Sequence, residues 1–383
     1  MPLFENNTQI ISAFVVWLIG FLFIDIVKNQ KGINLKVVYG LYIWHTLFAF
    51  LYMFYAAHHN ADASTYYMIA KEGTCDFDRF GTPFVKVLTE LLVDKFSLSW
   101  LGVFMVYNIF GFLGLLFFYM SLNSITMNKS LFVKRLVLIV LFLPSINFWT
   151  VAVGKDAIAF TAATMALWAI LDLNKRLILM ISAIIIMLFV RPHIAGVMLF
   201  ALGIAILFDK NFSLFYKSKL IFIGILIFFL SFQYFFNLIV PSSISKVSKI
   251  SEVIQKRQEY NLQGSGAIDI SSMSFPEQLF AYLYRPMPFE INSLYGFAAG
   301  IDNLFLLFLT LLFLFSFIKS KSYTTKIQYN HNYIFILIYV LITCSILAMT
   351  TANLGISLRQ KWMVMPFLIF IFFLYIDNKK QTI

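Results

Sequence analysis

The chain has the composition of an integral membrane protein. Of its 383 residues, 61% are hydrophobic and only 12% are charged, and the net charge is +11. Soluble globular domains carry about 25% charged residues, so this composition excludes an ordinary soluble class. The basic residues are spread through short segments between apolar runs rather than gathered in one stripe, which argues against a nucleic-acid-binding surface.

The apolar runs predict an all-α polytopic membrane protein. Each run is about long enough to cross a hydrocarbon core of roughly 30 Å as a helix. We predict eleven spans, at residues 9–27, 36–57, 98–119, 134–152, 156–172, 176–190, 194–208, 219–240, 301–318, 332–350 and 362–377. The start of the chain lacks a basic n-region and a cleavage site, so we expect the first span to be retained. Residues 1–383 are therefore expected to form a single integral membrane domain.

Basic residues occupy every second segment between the predicted spans. They are Lys28, Lys31, Lys36, Lys129, Lys134, Arg135, Lys175, Arg176, Lys210, Lys217, Lys219, Lys319, Lys321, Lys326, Lys379 and Lys380. Segments rich in lysine and arginine stay in the cytoplasm. We therefore expect the N-terminus outside and the C-terminus in the cytoplasm, which agrees with an odd number of spans.

The remaining segments lie outside in this topology. Two are long insertions, 58–97 and 241–300, and three are short, around 153–156, 191–193 and 351–361. Residues 82–96 and 243–260 have the apolar spacing of a helix but are too polar to span a membrane. We predict amphipathic helices on the membrane surface there.

Charged residues stand at the outer ends of the predicted spans. They are Lys155, Asp156, Arg191, Arg285, Glu290, Arg359 and Lys361. A charge near hydrocarbon costs roughly 2.5–3.5 kcal/mol, so these residues need partners or a wet cavity. Basic residues outnumber acidic ones, and arginine grips phosphate oxygens with two donors, which favours an anionic ligand such as a diphosphate.

Simpler roles remain open for several of these residues. Each arginine taken alone can serve as an interface anchor or a salt-bridge partner. Glu290 can pair with Arg285, five residues earlier, and Asp156 can be a favourable charge at a helix N-terminus.

Two segments offer acid–base groups. His193 follows Arg191 and Pro192, and Asp62 lies near His58 and His59. An imidazole or a carboxylate can accept a proton from a sugar hydroxyl. A helix-capping role for His193 is the alternative. Metal binding by Asp62 and the two histidines is less favoured, because adjacent histidines do not easily share one ion. The neighbouring Tyr66 and Tyr67 fit sugar stacking or an interface belt.

The outer motifs form an ordered series. In chain order they are PSINFW (144–149), GKD (154–156), RPH (191–193), RPMPFE (285–290) with a following Asn292, and NLG (353–355) with RQK (359–361) and Pro366. The series, which covers most of the chain, resembles the Wzy-type polymerases of bacterial O-antigen and capsule. Arg285 and Gly296 fit the family pattern of arginine, ten residues and glycine. Arg191 departs from it, since Gly203 comes one residue late.

The resemblance implies a GT-C-type glycosyltransferase of the bacterial inner membrane, with its site facing the periplasm or exterior. It would join undecaprenyl-diphosphate-linked oligosaccharides with inversion, without a cofactor or an obligatory metal. A separate flippase and a chain-length-regulating co-polymerase are the implied partners. The implied diphosphate ligands are Arg191, Arg285 and Arg359, with Lys155 and Lys361 in support. His193 and Asp62 are the main candidates for the catalytic base, and Glu290 is a third.

Two other functions remain open. A GT-C enzyme that uses a monosaccharide on polyprenyl phosphate would place its carboxylate site at ADASTYY (61–67). A flippase or transporter for lipid-linked sugars would bind diphosphate with the same arginines and break no bond. The sequence shows no internal repeat, and the charges gather at one predicted face, which favours chemistry over transport.

Overall fold

The computed structural model describes residues 3–59, 61–208, 218, 222, 258–259, 262, 266–290, 293–320 and 331–377. Its contacts divide the chain into two compact units. The first unit comprises residues 1–191 together with the C-terminal residues from 376, and the second comprises residues 192–375. Apart from one antiparallel bridge between Ala267 and Asn353, these described ranges contain helices and the loops that join them.

The first unit is built of nine described helices. They are α1 (Asn7–Leu22, continued by a 3-10 turn, Phe23–Val27), α2 (Leu35–His58), α3 (Asp62–Glu72), α4 (Thr82–Asp94), α5 (Trp100–Thr126), α6 (Leu131–Leu141), α7 (Pro144–Trp149), α8 (Lys155–Ile170) and α9 (Leu173–Val190). Polar side chains start several of them. Asn6, Asn34 and Ser99 each accept a hydrogen bond from a backbone N–H in the first turn of α1, α2 and α5, which satisfies donors that the helix leaves unpaired.

The core of the first unit is α8. Every residue from Ala157 to Ile170 is buried, and the helix packs between α5 and α9. Its many alanines present little side-chain bulk. Gly114 of α5 contributes to the close approach, because a Cβ there would lie 2.5 Å from the ring of Phe160. The sequence pattern predicted 156–172 as a span like the others, whereas the structure surrounds this helix with protein.

The second unit is also helical where it is described. Its helices are α10 (Pro192–Phe208), α11 (Phe275–Tyr284), α12 (Leu294–Ser320), α13 (His331–Thr350), α14 (Leu354–Gln360), a 3-10 turn (Lys361–Met363) and α15 (Met365–Tyr375). α11 packs against α12, α13 and α14, while α10 packs against α13. A reciprocal capping box between Ser274 and Glu277 starts α11.

Seven helical segments are long and apolar enough to cross a membrane, which indicates a membrane protein. They are Asn7–Val27, Leu35–His58, Trp100–Thr126, Leu131–Trp149, Leu173–Val190, Tyr295–Lys319 and Asn332–Thr350. The pair Leu354–Met363 and Met365–Tyr375, bent by 60°, makes an eighth if it is one span.

Eleven spans were predicted, and the count of eleven stays a prediction. The predicted span at 219–240 and the predicted surface helix at 243–260 lie almost entirely outside the described residues. α8 and α10 are shorter, with 16 and 17 residues. The helix predicted at 82–96 is confirmed by α4.

Candidate functional site

Arg191 and Asp156 form a buried ion pair in the first unit. An Arg191 Nη2 atom lies 2.7 Å from Asp156 Oδ1, and the two side chains are only 9% and 12% exposed. Arg191 ends α9 and Asp156 lies in the first turn of α8. The Nε atom of Arg191 is buried and has no hydrogen-bond partner in the structure. The salt-bridge alternative for Arg191 is thus confirmed, yet one donor of its guanidinium is left for a further acceptor.

Lys155 joins this pair to α4. Its Nζ donates to Thr82 Oγ1 at 3.0 Å, and beside it the N–H of Gly81 donates to the carbonyl of Phe189 at 2.8 Å. The predicted outer segments 58–97 and 153–156 therefore meet at one place in the first unit, together with Arg191, the first residue of segment 191–193. Two of the predicted site residues, Lys155 and Arg191, lie there. We call these two residues, together with Asp156 and Thr82, the cationic cluster.

Two helices begin at the cationic cluster, and each follows a glycine. Gly81 precedes α4 with a φ of +97°, in the left-handed region that glycine adopts without strain. Gly154 precedes α8. Neither glycine has a side chain that could cap its helix. Helix N-termini carry partial positive charge and favour anions. The cluster contains two cationic side chains, Lys155 and Arg191, and one carboxylate, Asp156. Its net charge is therefore positive, which suits an anionic ligand.

Asp62 stands at the start of α3, which packs against α4 in the same unit. The adjacent His58 and His59 are exposed, and each bonds through Nδ1 to a carbonyl four residues earlier, at 2.8 and 3.0 Å. Within the described ranges, no group of three or more histidine, cysteine, aspartate or glutamate side chains is placed to hold a metal ion. The structure thus gives the two histidines local backbone partners.

Arg285 and Glu290 form a pair in the second unit. Arg285 Nε donates to Glu290 Oε1 at 2.8 Å, and the backbone N–H of Met287 donates to Glu290 Oε2 at 2.7 Å. The pairing considered for these two residues is confirmed. Both oxygens of Glu290 are engaged, so this carboxylate orients Arg285 and closes the loop 285–290. Arg285 keeps 27% of its side-chain surface exposed.

Lys361 lies in the interior of the second unit. It is fully buried, and its Nζ bonds to Asn303 Oδ1. Asn303 in turn donates to the carbonyl of Pro286 at 2.8 Å, and Asp302 is the acidic neighbour of the ammonium. Lys361 was expected to support a diphosphate directly. The structure instead connects it, through Asn303, to the loop that carries Arg285.

The remaining candidates lie on other elements of the second unit. His193 is the second residue of α10, and Arg359 lies in the last turn of α14. The predicted outer segments 241–300 and 351–361 do meet in this unit, since the N–H of Ile268 donates to Ala352 at 3.0 Å and that of Leu354 donates to Gly266 at 2.7 Å.

Thr82 and Asn303 were not found from the sequence. Thr82 was recognised only as the start of an amphipathic helix, and its contact with Lys155 joins residues 73 positions apart. Asn303 lies inside a predicted span, 58 positions from Lys361. A polar residue inside an apolar run was the available signal for Asn303, because such residues are costly in a membrane unless they are paired.

Comparisons with known proteins were made for family, sequence and structure. No protein-family model matches the chain, and no curated protein or solved structure matches it either.

Proposed function

We propose that this protein is an oligosaccharide repeat-unit polymerase of the bacterial inner membrane. Its substrates would be undecaprenyl-diphosphate-linked oligosaccharides, joined on the outer face. The observation that carries the proposal is the cationic cluster, where a largely buried arginine with an unused donor lies beside a lysine and two helix N-termini. The ordered series of outer motifs supports the same function.

The proposed reaction is a single displacement. A hydroxyl oxygen of the acceptor sugar bonds to the anomeric carbon of the donor, the bond from that carbon to the diphosphate breaks, and the hydroxyl proton passes to a base. Inversion follows from one attack in line with the leaving group. Positioned cations stabilise the charge that develops on the departing diphosphate.

Arg191 with Lys155 in the first unit, and Arg285 with Arg359 in the second, are the proposed diphosphate ligands. Glu290 and Lys361 are assigned positioning roles, because Glu290 binds Arg285 and Lys361 reaches the same loop through Asn303. His193 and Asp62 therefore remain the two candidates for the base. The eleven-span topology with an external N-terminus belongs to this proposal.

The test is polymer length on a silver-stained gel. Cells that lack the gene are complemented with the wild type, Arg191→Ala or Arg285→Ala. Arg135→Ala is the matched control, because Arg135 is an exposed arginine on α6 at the predicted cytoplasmic side. We expect single repeat units with the deletion and with the first two variants, and full polymer with Arg135→Ala.

Two results would contradict the proposal. If no repeat unit reaches the outer face in the deletion strain, the protein is a flippase or transporter. If the repeat unit lacks one sugar, the protein is a transferase of single sugars. Membrane levels of each variant are compared by immunoblot, so that loss of polymer is not confused with loss of protein.

A further inference from the structure

Four phenylalanine rings form a cluster in the first unit. Phe77 and Phe80 come from the segment that leads into α4, Phe84 lies in the first turn of α4, and Phe189 comes from the end of α9. The ring centroids of Phe84 and Phe189 are 4.8 Å apart, those of Phe80 and Phe189 5.4 Å, and those of Phe77 and Phe80 5.8 Å. Phe77 is 48% exposed and the other three are partly exposed. The rings thus present an open apolar surface rather than a sealed core.

This phenylalanine cluster adjoins the cationic cluster. Gly81 lies between Phe80 of the one cluster and Thr82 of the other, and its N–H donates to the Phe189 carbonyl at 2.8 Å. Phe189 precedes Arg191 by two residues. Apolar rings and cationic groups therefore share the same short stretches of backbone at the start of α4 and the end of α9.

A ligand that matches both surfaces is an amphiphile with an anionic head directly attached to a hydrocarbon chain. A soluble anion would use the cations and leave the rings in contact with water. An apolar chain alone would leave the buried Nε of Arg191 without an acceptor. Continuity between the two surfaces thus favours one ligand that covers both.

We propose that the phenylalanine cluster holds the first isoprene units of a polyprenyl diphosphate whose phosphates are bound by Arg191, Lys155 and the first turn of α4. This inference rests on the proposed function, which supplies the polyprenyl chain. It adds the residues that contact the lipid. It also gives α4 a role in ligand binding, beyond lying on the membrane surface.

Binding to the purified full-length protein in nanodiscs tests the inference. The two probes are undecaprenyl diphosphate and inorganic diphosphate, which share the anionic group and differ in the chain. For Phe77→Ala we expect about tenfold weaker binding of undecaprenyl diphosphate, because the apolar ring surface that the isoprene chain would cover is lost. Binding of inorganic diphosphate should be unchanged. Lys155→Gln should weaken the binding of both probes.

Phe132→Ala is the matched control, because Phe132 is 53% exposed on α6 and lies outside the cluster. It should leave both affinities unchanged. Phe189→Leu is a second test variant, which keeps an apolar side chain where Phe189 packs and loses only its ring. Thermal unfolding of each variant without ligand shows whether the fold is intact.

The inference is overturned if Phe77→Ala and Phe189→Leu bind undecaprenyl diphosphate as the wild type does, or if they lose inorganic diphosphate equally. A diacyl phosphatidic acid serves as a third probe. An equal loss of affinity for it in these variants would also overturn the inference, because the site would then be a general phospholipid site. The gel assay reports separately on the proposed function: full polymer with Arg191→Ala would refute the polymerase role of this site, whatever the lipid-binding result.

Discussion

Arg191 has two roles in this account: it forms an ion pair with Asp156, and it is a proposed ligand of the diphosphate. Both side chains are about nine-tenths buried, so each charge depends on the other for compensation. Removing one member of a buried pair leaves the other charge without a partner, which costs more than the pair itself contributes. The same burial strengthens any further interaction that the guanidinium makes with an anion.

Asp156→Ala is predicted to lower the free energy of unfolding by about 3–5 kcal/mol, because it leaves a buried guanidinium uncompensated. The double variant Arg191→Met with Asp156→Ala should be more stable than Asp156→Ala alone. Thermal unfolding in detergent is measured for these two variants and for Arg191→Met alone. A double variant as unstable as the sum of the two single variants would show that the pair is not coupled.

The thiol of Cys75 is predicted to react slowly although Cys75 is partly exposed. Burial, followed by the hydrogen bond and the charge of Glu90, raises its pKa to about 12. Only the thiolate reacts with a maleimide, so the rate should keep rising with pH up to the raised pKa, beyond the point near pH 9 where an ordinary cysteine levels off.

Glu90→Gln should speed this labelling at pH 8, about tenfold for each unit by which the pKa of Cys75 falls. The measurement uses a Cys344→Ala background, so that Cys75 is the only cysteine, and follows the increase in mass with time. Equal labelling rates with and without Glu90 would contradict the assignment of Glu90 as a cause of the raised pKa.

Helix contacts in the first unit depend on glycine where backbones approach each other. Gly111 of α5 faces the end of α7, and a Cβ there would lie 2.1 Å from the Thr150 carbonyl oxygen and 2.5 Å from His45 Nε2. His45 is fully buried and bonds through Nδ1 to Asn147 Oδ1 at 3.0 Å. Both amide hydrogens of Asn147 are donated to backbone carbonyls of residues 141 and 143. The helices are therefore held together by packing and by buried polar contacts.

Gly111→Ala is predicted to destabilise the protein by about 1–3 kcal/mol or more, because backbone atoms of the opposing helix have to move. Gly40→Ala is the control, since a Cβ at Gly40 of α2 meets nothing within 4 Å. That variant should be neutral or stabilised by about 0.5–1 kcal/mol through helix propensity. Similar unfolding temperatures for the two variants would refute the close approach at Gly111.

Orientation in the membrane is a property of the whole molecule. The alternating basic segments predict an external N-terminus and a cytoplasmic C-terminus. Reporter fusions test this: green fluorescent protein should fluoresce after residue 383 or 130, and alkaline phosphatase should be active after residue 80. An active phosphatase after residue 130 would reverse the orientation and move the cationic cluster to the cytoplasmic side.

Local patterns were sufficient for most of the helices. Hydropathy located the spans that the structure shows as α1, α2, α5, α9, α12 and α13, and helical spacing located α4. Local patterns were insufficient for α8, because its hydropathy predicts a membrane span whereas the helix is buried within the protein. Hydropathy measures how apolar a segment is and does not distinguish lipid from protein as its surroundings.

The candidate site was only partly predictable. The sequence indicated which charged residues stand at the ends of helices, and it raised the pairing of Arg285 with Glu290, which are five positions apart. It did not show that Arg191 contacts Asp156, 35 positions away, or that Lys155 contacts Thr82. Nor did it show that Lys361 is enclosed beside Asn303 instead of facing a ligand.

By itself, the sequence determined that this is a helical, membrane-type chain with charged residues at the predicted outer ends of its spans. Composition and periodicity are local properties and require no knowledge of neighbours in space. Only the tertiary structure decided which charges neutralise one another and which aromatic rings lie beside them. Those outcomes depend on contacts between helices far apart in the chain, because the energy of a buried charge is set by the atoms that surround it.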